Sequence, residues 1–478
     1  MPKQPNILMI SMDTLRYDAV GACGNPLART PNIDALTAAG TLCSRAYCTH
    51  PHCMPSRASM MTGRHCSCHG VWQNGVALSE NETTLPAVLG EADYVTALFG
   101  KAHFRPWRRA FNDPTQYAEH PGGEPYYGFQ QTQVVDHSED DAFCEWVRRE
   151  YPDWADLAIH PYKDRPDDTT MAWKSTLPAE ATKTHFISEA TIEAIRSRDA
   201  NRPFYFWASF VDPHHPLAPP APYGDWYDDV DFPPPPAVDG PWDNLPTHYA
   251  QWREMVTQPG RVQAQWQTIR RMYQGKVSHV DAEIGRILAM LDAEGLADNT
   301  IVLMLSDHGA MLGDYGLMAV GCYSSEAVVH VPMIWRAPGI AAGATRSELI
   351  SVADVMPTML DTLGLDAPAG MQGRSLRALL TDGTPDRPWR DQLVIEQRMN
   401  EDPGEPAGFK TLITDRYKLS LYSDPREGEL YDLQDDPREL NNLYGRQEAA
   451  AVQTKLTGRF ARALLFDDDP LPERTAPW

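Results

Sequence analysis

The chain of 478 residues is short of positive charge: 42 Lys and Arg stand against 65 Asp and Glu, a formal net charge of -23. At long range this balance repels nucleic acid and anionic membrane surfaces, so neither is expected as a partner. It opposes an anionic substrate too, so any sulfate or phosphate site must gather its cations locally inside a cleft. Long apolar runs are missing; none approaches the roughly 18 residues of a membrane span. The N-terminus, MPKQPNILMISMD, enters a strand-like run without a long hydrophobic stretch or a small-residue cleavage site, which predicts no secretory signal and a soluble, cytoplasmic protein. Cysteine is sparse, eight residues spread over the length, as for reduced thiols rather than a disulfide framework. His65, Cys66, Cys68 and His69 lie together, but too tightly for an ordinary structural zinc site. No internal repeat or low-complexity tract breaks the chain.

The length suits a large α/β domain with a smaller appendage. Short apolar runs ending abruptly in polar residues recur as NILMISMD, YVTALFGK, PFYFWASFVDPHH and TIVLMLSDHG, and read as buried strands. Helical stretches lie between them, such as TPNIDALTAAG, with Thr30 as cap and Pro31 at the first position, and VSHVDAEIGRILAMLDAEG. The alternation predicts an α/β fold, a large mixed and mostly parallel sheet flanked by helices, over residues 1–370. Beyond, FKTLITDRYKLSLY reads as a hairpin, and GELYDLQDDPRELNNL as a strand, a turn and a helix, so residues 371–478 are expected to form a small C-terminal α+β unit. Residues 105–180 and 213–265 break the pattern with Trp, Tyr, Asp and Pro. They read either as walls of a substrate pocket or as surface packing and a homo-oligomer contact.

Asp13 and Asp307 each end a separate apolar strand, where open α/β sheets bind ligands, and His308 follows with a nitrogen ligand or a general acid. An Asp after a strand is as readily a helix cap or turn residue. In HPHCMPSRASMMTGR, Pro55 can occupy the first turn of a helix, which puts Cys53 at its N-terminus among free N–H groups. Arg57, four residues on, then returns to the same face. The alternative is a buried cysteine beside a surface arginine. Lys101 and His103, two apart after a strand, project to one side if the backbone is extended. His214 and His215 follow another strand, where one could act as a general acid. Both pairs could equally be solvated loop residues.

Taken together and in this order, these elements resemble the sulfatases. Cys53 through Arg57 match that family's cysteine, any residue, proline, any residue, arginine signature for conversion to formylglycine, and the likeness runs from the first strand through GDYGL to ELYDLQDDPRELNNL. The resemblance implies the alkaline-phosphatase-like fold and the hydrolysis of sulfate esters to alcohol and inorganic sulfate. Cys53 becomes an aldehyde whose metal-bound hydrate is the nucleophile. Asp13, Asp307 and His308, with the side chain at 53, correspond to metal ligands; Arg57 and Lys101 orient the nucleophile and stabilise charge. His103 assists the elimination that returns the aldehyde, and His214 is the substrate-side histidine. Asn74, in WQNG, adds a substrate contact or is simply the turn residue of an Asn-Gly pair. The implied partners are a small anionic ester substrate and a formylglycine-generating maturation enzyme.

Two positions depart from the family. Thr14 stands where sulfatases usually carry a second acidic ligand, so calcium, the first candidate for the single divalent metal, loses ground to manganese or magnesium. After DHGAMLGDYGL, Ala319 and Val320 stand where a lysine near the leaving-group oxygen is expected, with Val320 at its position. Phosphonate monoester hydrolases and phosphodiesterases of the same superfamily also lack the second acid and form the alternative reading. A noncatalytic anion-binding descendant is the third. The alcohol part of the substrate stays open.

Overall fold

The computed structural model describes residues 4–106, 125–135, 141–166, 171–242, 244–256, 260–385, 387–398 and 408–466. Eight strands make the large sheet: β1 Asn6–Met12, β2 Thr41–Cys43, β3 Val95–Gly100, β4 Gln131–Val134, β5 Phe204–Phe210, β6 Thr300–Ser306, β7 Met333–Arg336 and β8 Ala344–Arg346. Their order across the sheet is β8-β2-β7-β6-β1-β5-β3-β4. Pairings are parallel except at β7, which runs antiparallel to both β6 and β2. The mixed, mostly parallel sheet expected from the alternation is therefore present.

The three central strands, β1, β5 and β6, are buried along their whole length, because both faces of the sheet are covered and successive side chains alternate between them. Ile7, Met9, Tyr205, Trp207, Leu303 and Leu305 enter one core with Met54, Ala58 and Met61 of helix α2 (Cys53–Thr62) and Met359 of helix α5 (Val355–Leu363). Leu8, Ile10, Phe206, Phe210 and Met304 enter the other, against helices α1 (Pro31–Ala38), α3 (Lys183–Ser197) and α4 (Arg261–Ala293). In α1, Pro31 holds the first position, but Thr30 makes no capping bond. Its hydroxyl accepts from Gly21 N–H and donates to Asp34.

The C-terminal unit is a four-stranded antiparallel sheet, β9 Gln392–Gln397, β10 Phe409–Thr414, β11 Tyr417–Tyr422 and β12 Gly428–Asp432, with helix α6 (Ala450–Phe466). The hairpin falls where it was expected. The helix does not begin at PRELNNL: Asp436 accepts from the N–H groups of Leu440 and Asn441, and Asn442 from those of Leu430 and Tyr444, so side chains hold the segment in turns. Of the two irregular stretches, residues 107–124, 136–140, 167–170, 243 and 257–259 lie outside the described residues. The rest includes helices Ala142–Glu150, Ala155–Ile159 and Thr247–Val256. No described helix is long and apolar enough to cross a membrane.

Candidate active site

The register of the sheet brings the first carboxylates together. Met12 of β1 lies opposite Ser306 of β6 in parallel pairing, so Asp13 and Asp307 leave the sheet side by side at its carboxyl end. On the far side of β5, β3 ends at Gly100 with φ 107°, and Lys101 N–H donates to Ser209 O at 2.9 Å. A Cβ at Gly100 would stand 2.0 Å from the Ser209 carbonyl oxygen, so only glycine lets the chain turn into the site here.

The fourth contributor is α2, whose ten residues are all buried. Pro55 sits in its first turn, and His52, the N-cap, has extended backbone and makes no side-chain cap bond. Instead Asn74 reaches across, its Oδ1 accepting from Met54 N–H at 3.0 Å. Cys53 thus opens the helix, its Sγ 3.1 Å from His308 Nε2, 3.4 Å from Lys101 Nζ and 3.6 Å from Asp13 Oδ1. Arg57, fully buried one turn on, donates through Nε to Asp307 Oδ2 at 2.7 Å. One terminal nitrogen of its guanidinium donates to Lys101 O and Ser209 Oγ, at 2.7 and 2.8 Å. Ser56 Oγ donates to Asp307 O at 2.7 Å, and Asp307 Oδ1 accepts from the N–H groups of Thr14 and His308.

The charges settle one another. Burial alone would raise the Asp13 carboxyl, but Lys101, Arg57 and His308 together hold it down at about 2. Lys101, which donates to Asp13 Oδ2, is raised despite burial because Asp13 and Cys53 face it. Burial pulls the His308 imidazole down, yet Asp307, Cys53 and Asp13 raise it more, to about 10, so this cluster favours positive charge at its centre. A cation bound there supplies that charge directly.

The donor set fits one. Asp13, Cys53, Asp307 and His308 each offer a ligand atom, all within 4.8 Å of one another; bonds of about 2.1–2.5 Å to a single ion put donors within about 5 Å of each other. His308 Nδ1 lies 2.9 Å from Gly309 O, which can only accept, so Nδ1 carries an N–H and Nε2 faces the cluster, where a bound cation would take the place of the second proton. Two carboxylates and an imidazole suit a hard or borderline divalent ion. No other such grouping occurs among the described residues; His69 Nε2 instead meets Ser59 Oγ at 3.0 Å, and Cys66 packs beside Thr49.

His103 and His214 lie on the loops that follow β3 and β5. His103 is buried, but its φ of 58° is left-handed, so the extended backbone that was to align it with Lys101 is absent. His214 Nδ1 meets His215 O at 2.7 Å, and the two rings stack at 3.9 Å. Burial depresses the His215 imidazole to about 4 against the opposing pull of Asp13. His215, Thr14, Ala310 and Ala319 line one small cavity.

Sequence reasoning missed Ser209, Lys276 of α4 and Gln397, whose Nε2 lies 3.4 Å from His52 Nδ1. A cavity of about 650 Å³ lies elsewhere, among Arg16, Tyr17, Arg45, His330 and Arg438, and none of the cluster residues lines it.

The family model described as Sulfatase matches residues 5–365, and one described as N-sulphoglucosamine sulphohydrolase, C-terminal, matches residues 314–464. An arylsulfatase of Clostridium perfringens is 30% identical over 93% of this chain and 91% of its own. The multifunctional alkaline phosphatase superfamily protein PehA of Trinickia caryophylli is 27% identical over 94% and 92%. Among solved structures, the phosphonate monoester hydrolase of Agrobacterium radiobacter superposes with a TM-score of 0.82 at 25% identity, covering 98% of this chain and 96% of that one.

Proposed function

Because the chain belongs to the sulfatase family, we propose that it hydrolyses sulfate esters to an alcohol and inorganic sulfate at the centre built around Cys53, with Cys53 converted to formylglycine. The observation that carries this reading is the position of Cys53: it opens a buried helix with Asp13, Lys101 and His308 all within 3.6 Å of its sulfur. Two cations and a metal-type donor set around this side chain suit an oxygen nucleophile that attacks an anionic ester.

Asp13, Asp307 and His308 would hold one divalent metal together with the side chain at 53. When bound, the ion lowers the pKa of the attacking oxygen and neutralises charge on the nonbridging ester oxygens. Calcium is the first candidate, and Thr14 in place of an acid lets manganese or magnesium compete with it. Lys101 stays charged between Asp13 and residue 53 and stabilises charge that develops there. Arg57 braces Asp307 and the Lys101 carbonyl, which fixes the distance between ligand and cation. His214 would protonate the leaving oxygen, His103 would serve as the base that returns residue 53 to its resting form, and Asn74 would contact substrate while capping α2. We place the division between the catalytic domain and the C-terminal unit near residue 370. Eight free cysteines support a reducing, cytoplasmic setting.

A second reading, phosphonate monoester or phosphodiester hydrolysis with the same nucleophile, is favoured by Thr14 and by the likeness to the Agrobacterium hydrolase. Parallel assays on an aryl sulfate, a phosphonate monoester and a phosphodiester, using protein from a maturation-competent host, decide between them: dominant turnover of a phosphorus ester reverses the order. Mass spectrometry of the peptide Ala46–Arg57 tests the nucleophile; an unmodified thiol in fully active protein overturns it.

A further inference from the structure

We propose that Lys276 is a positioning residue which clamps the His214–His215 loop against the reaction centre. The inference rests on the reading of His214 given above as the group facing the leaving oxygen.

Lys276 lies in the middle of α4 and is 6% exposed. Its ammonium group has three acceptors around it: Asp212 Oδ1 at 2.6 Å, His214 O at 2.6 Å and Pro216 O at 2.9 Å. Three N–H donors meet three acceptors, so no donor is left over for substrate. The lysine therefore acts on the loop, not on the ester, and does not replace the cation missing at Val320.

The two carbonyls it holds bracket His215, one belonging to His214 itself. Fixing both determines the path of the backbone through the histidine pair. The other end of the clamp is braced as well, since Thr184 Oγ1 of α3 donates to Asp212 Oδ2 at 2.7 Å. Next to Lys276, a Cβ on Gly275 would stand 2.7 Å from Tyr223 O and 3.0 Å from Pro219 Cγ, so α4 approaches the chain just after the loop as closely as glycine permits. The loop reaches the centre: Asp13, Lys101 and His308 all act electrostatically on the His215 ring, which shares its cavity with Thr14 and Ala319. A group that must meet a leaving oxygen gains from being held, and a displacement of about 1 Å costs on the order of a hundredfold in rate.

The test compares phenyl sulfate, a poor leaving group, with 4-nitrophenyl sulfate, a good one, in the full-length matured enzyme. Lys276→Met should lose about tenfold or more in kcat/KM on phenyl sulfate and less than about threefold on 4-nitrophenyl sulfate, because only the poor leaving group needs the proton. The charge-balanced pair Asp212→Asn with Lys276→Met should show the same split, since both loop carbonyls still lack their donor. Equal losses on the two esters, or none, overturn the clamp. His214→Gln separates the two claims: if it leaves the split unchanged while Lys276→Met alters it, the assignment of His214 fails instead. Independently of any ester, diethylpyrocarbonate should modify the His214–His215 peptide several-fold faster in Lys276→Met than in the unmodified chain. An unchanged rate overturns the proposal.

Discussion

Two charge-dense interiors of this molecule contrast in how their donors are spent. At the strand ends, carboxylates, a thiol, an imidazole and an ammonium group converge from separate segments on one small volume. Between the catalytic domain and the C-terminal unit, Glu429 of β12 is just as buried, but hydroxyls enclose it: Ser324 at 2.9 Å, Tyr431 at 3.0 Å, Tyr249 at 3.3 Å, and Tyr422. Beside it Lys418 donates to Ser324 O at 2.6 Å and pairs with Glu326 and Glu439. The second cluster closes on itself and joins domains. The first gathers two carboxylates, a thiol and an imidazole within 4.8 Å of one another, a ligand set for a cation. Burial and charge are common to both; the convergence of metal-type ligand atoms in one and of hydroxyls in the other separates chemistry from scaffolding.

The sharpest way to break the contrast is Cys53→Ala, expected to lower kcat about 10⁴-fold or more in an ester assay while leaving the unfolding midpoint nearly unchanged. The mirror experiment is Glu429→Leu, which strands four hydroxyls and should cost about 3 kcal/mol or more in urea unfolding, with kcat per folded molecule largely retained. Arg57→Lys lies between them. A lysine has three donors but not the planar fork that spans Asp307, the Lys101 carbonyl and Ser209, so kcat/KM should fall about 10- to 100-fold; full activity in this variant would remove Arg57 from the centre.

The smallest effect concerns Glu439. Burial raises its carboxyl from 4.5 to about 7, although Lys418 pulls the other way. The folded chain therefore holds this proton more tightly than the unfolded chain. The associated stability is fully present below pH 4.5 and is lost as pH rises to about 7. Glu439→Gln should flatten that part of the stability–pH curve in denaturant titrations, and an unchanged slope would assign the titration to another group.

Much of the first cluster was legible in the sequence and little of the second. Asp13 and Asp307 follow uninterrupted apolar runs, and Pro55 marks where a helix begins, so local pattern alone locates three of the contributors. The extended backbone expected from Lys101 to His103 is absent, because the chain leaves β3 through a glycine turn and His103 is itself left-handed. Lys276 and Glu429 were invisible for another reason: their partners lie 62 and 105 residues away, at His214 and Ser324, and a lysine or glutamate within an element reads the same whether it is solvated or sealed.

The complete burial of α2 also bears on the order of events in the life of the chain. With Cys53 2% exposed, an oxidising enzyme has no access to its sulfur once folding is finished. The strand end that closes over the helix arrives late, because Asp307 is made 250 residues after Arg57, which at roughly 5–20 residues per second leaves on the order of 10–50 s. On the proposed conversion of Cys53 to formylglycine, maturation and folding would compete for the same nascent segment, and a chain that folds first would keep its thiol, so the yield of working enzyme would be set by timing.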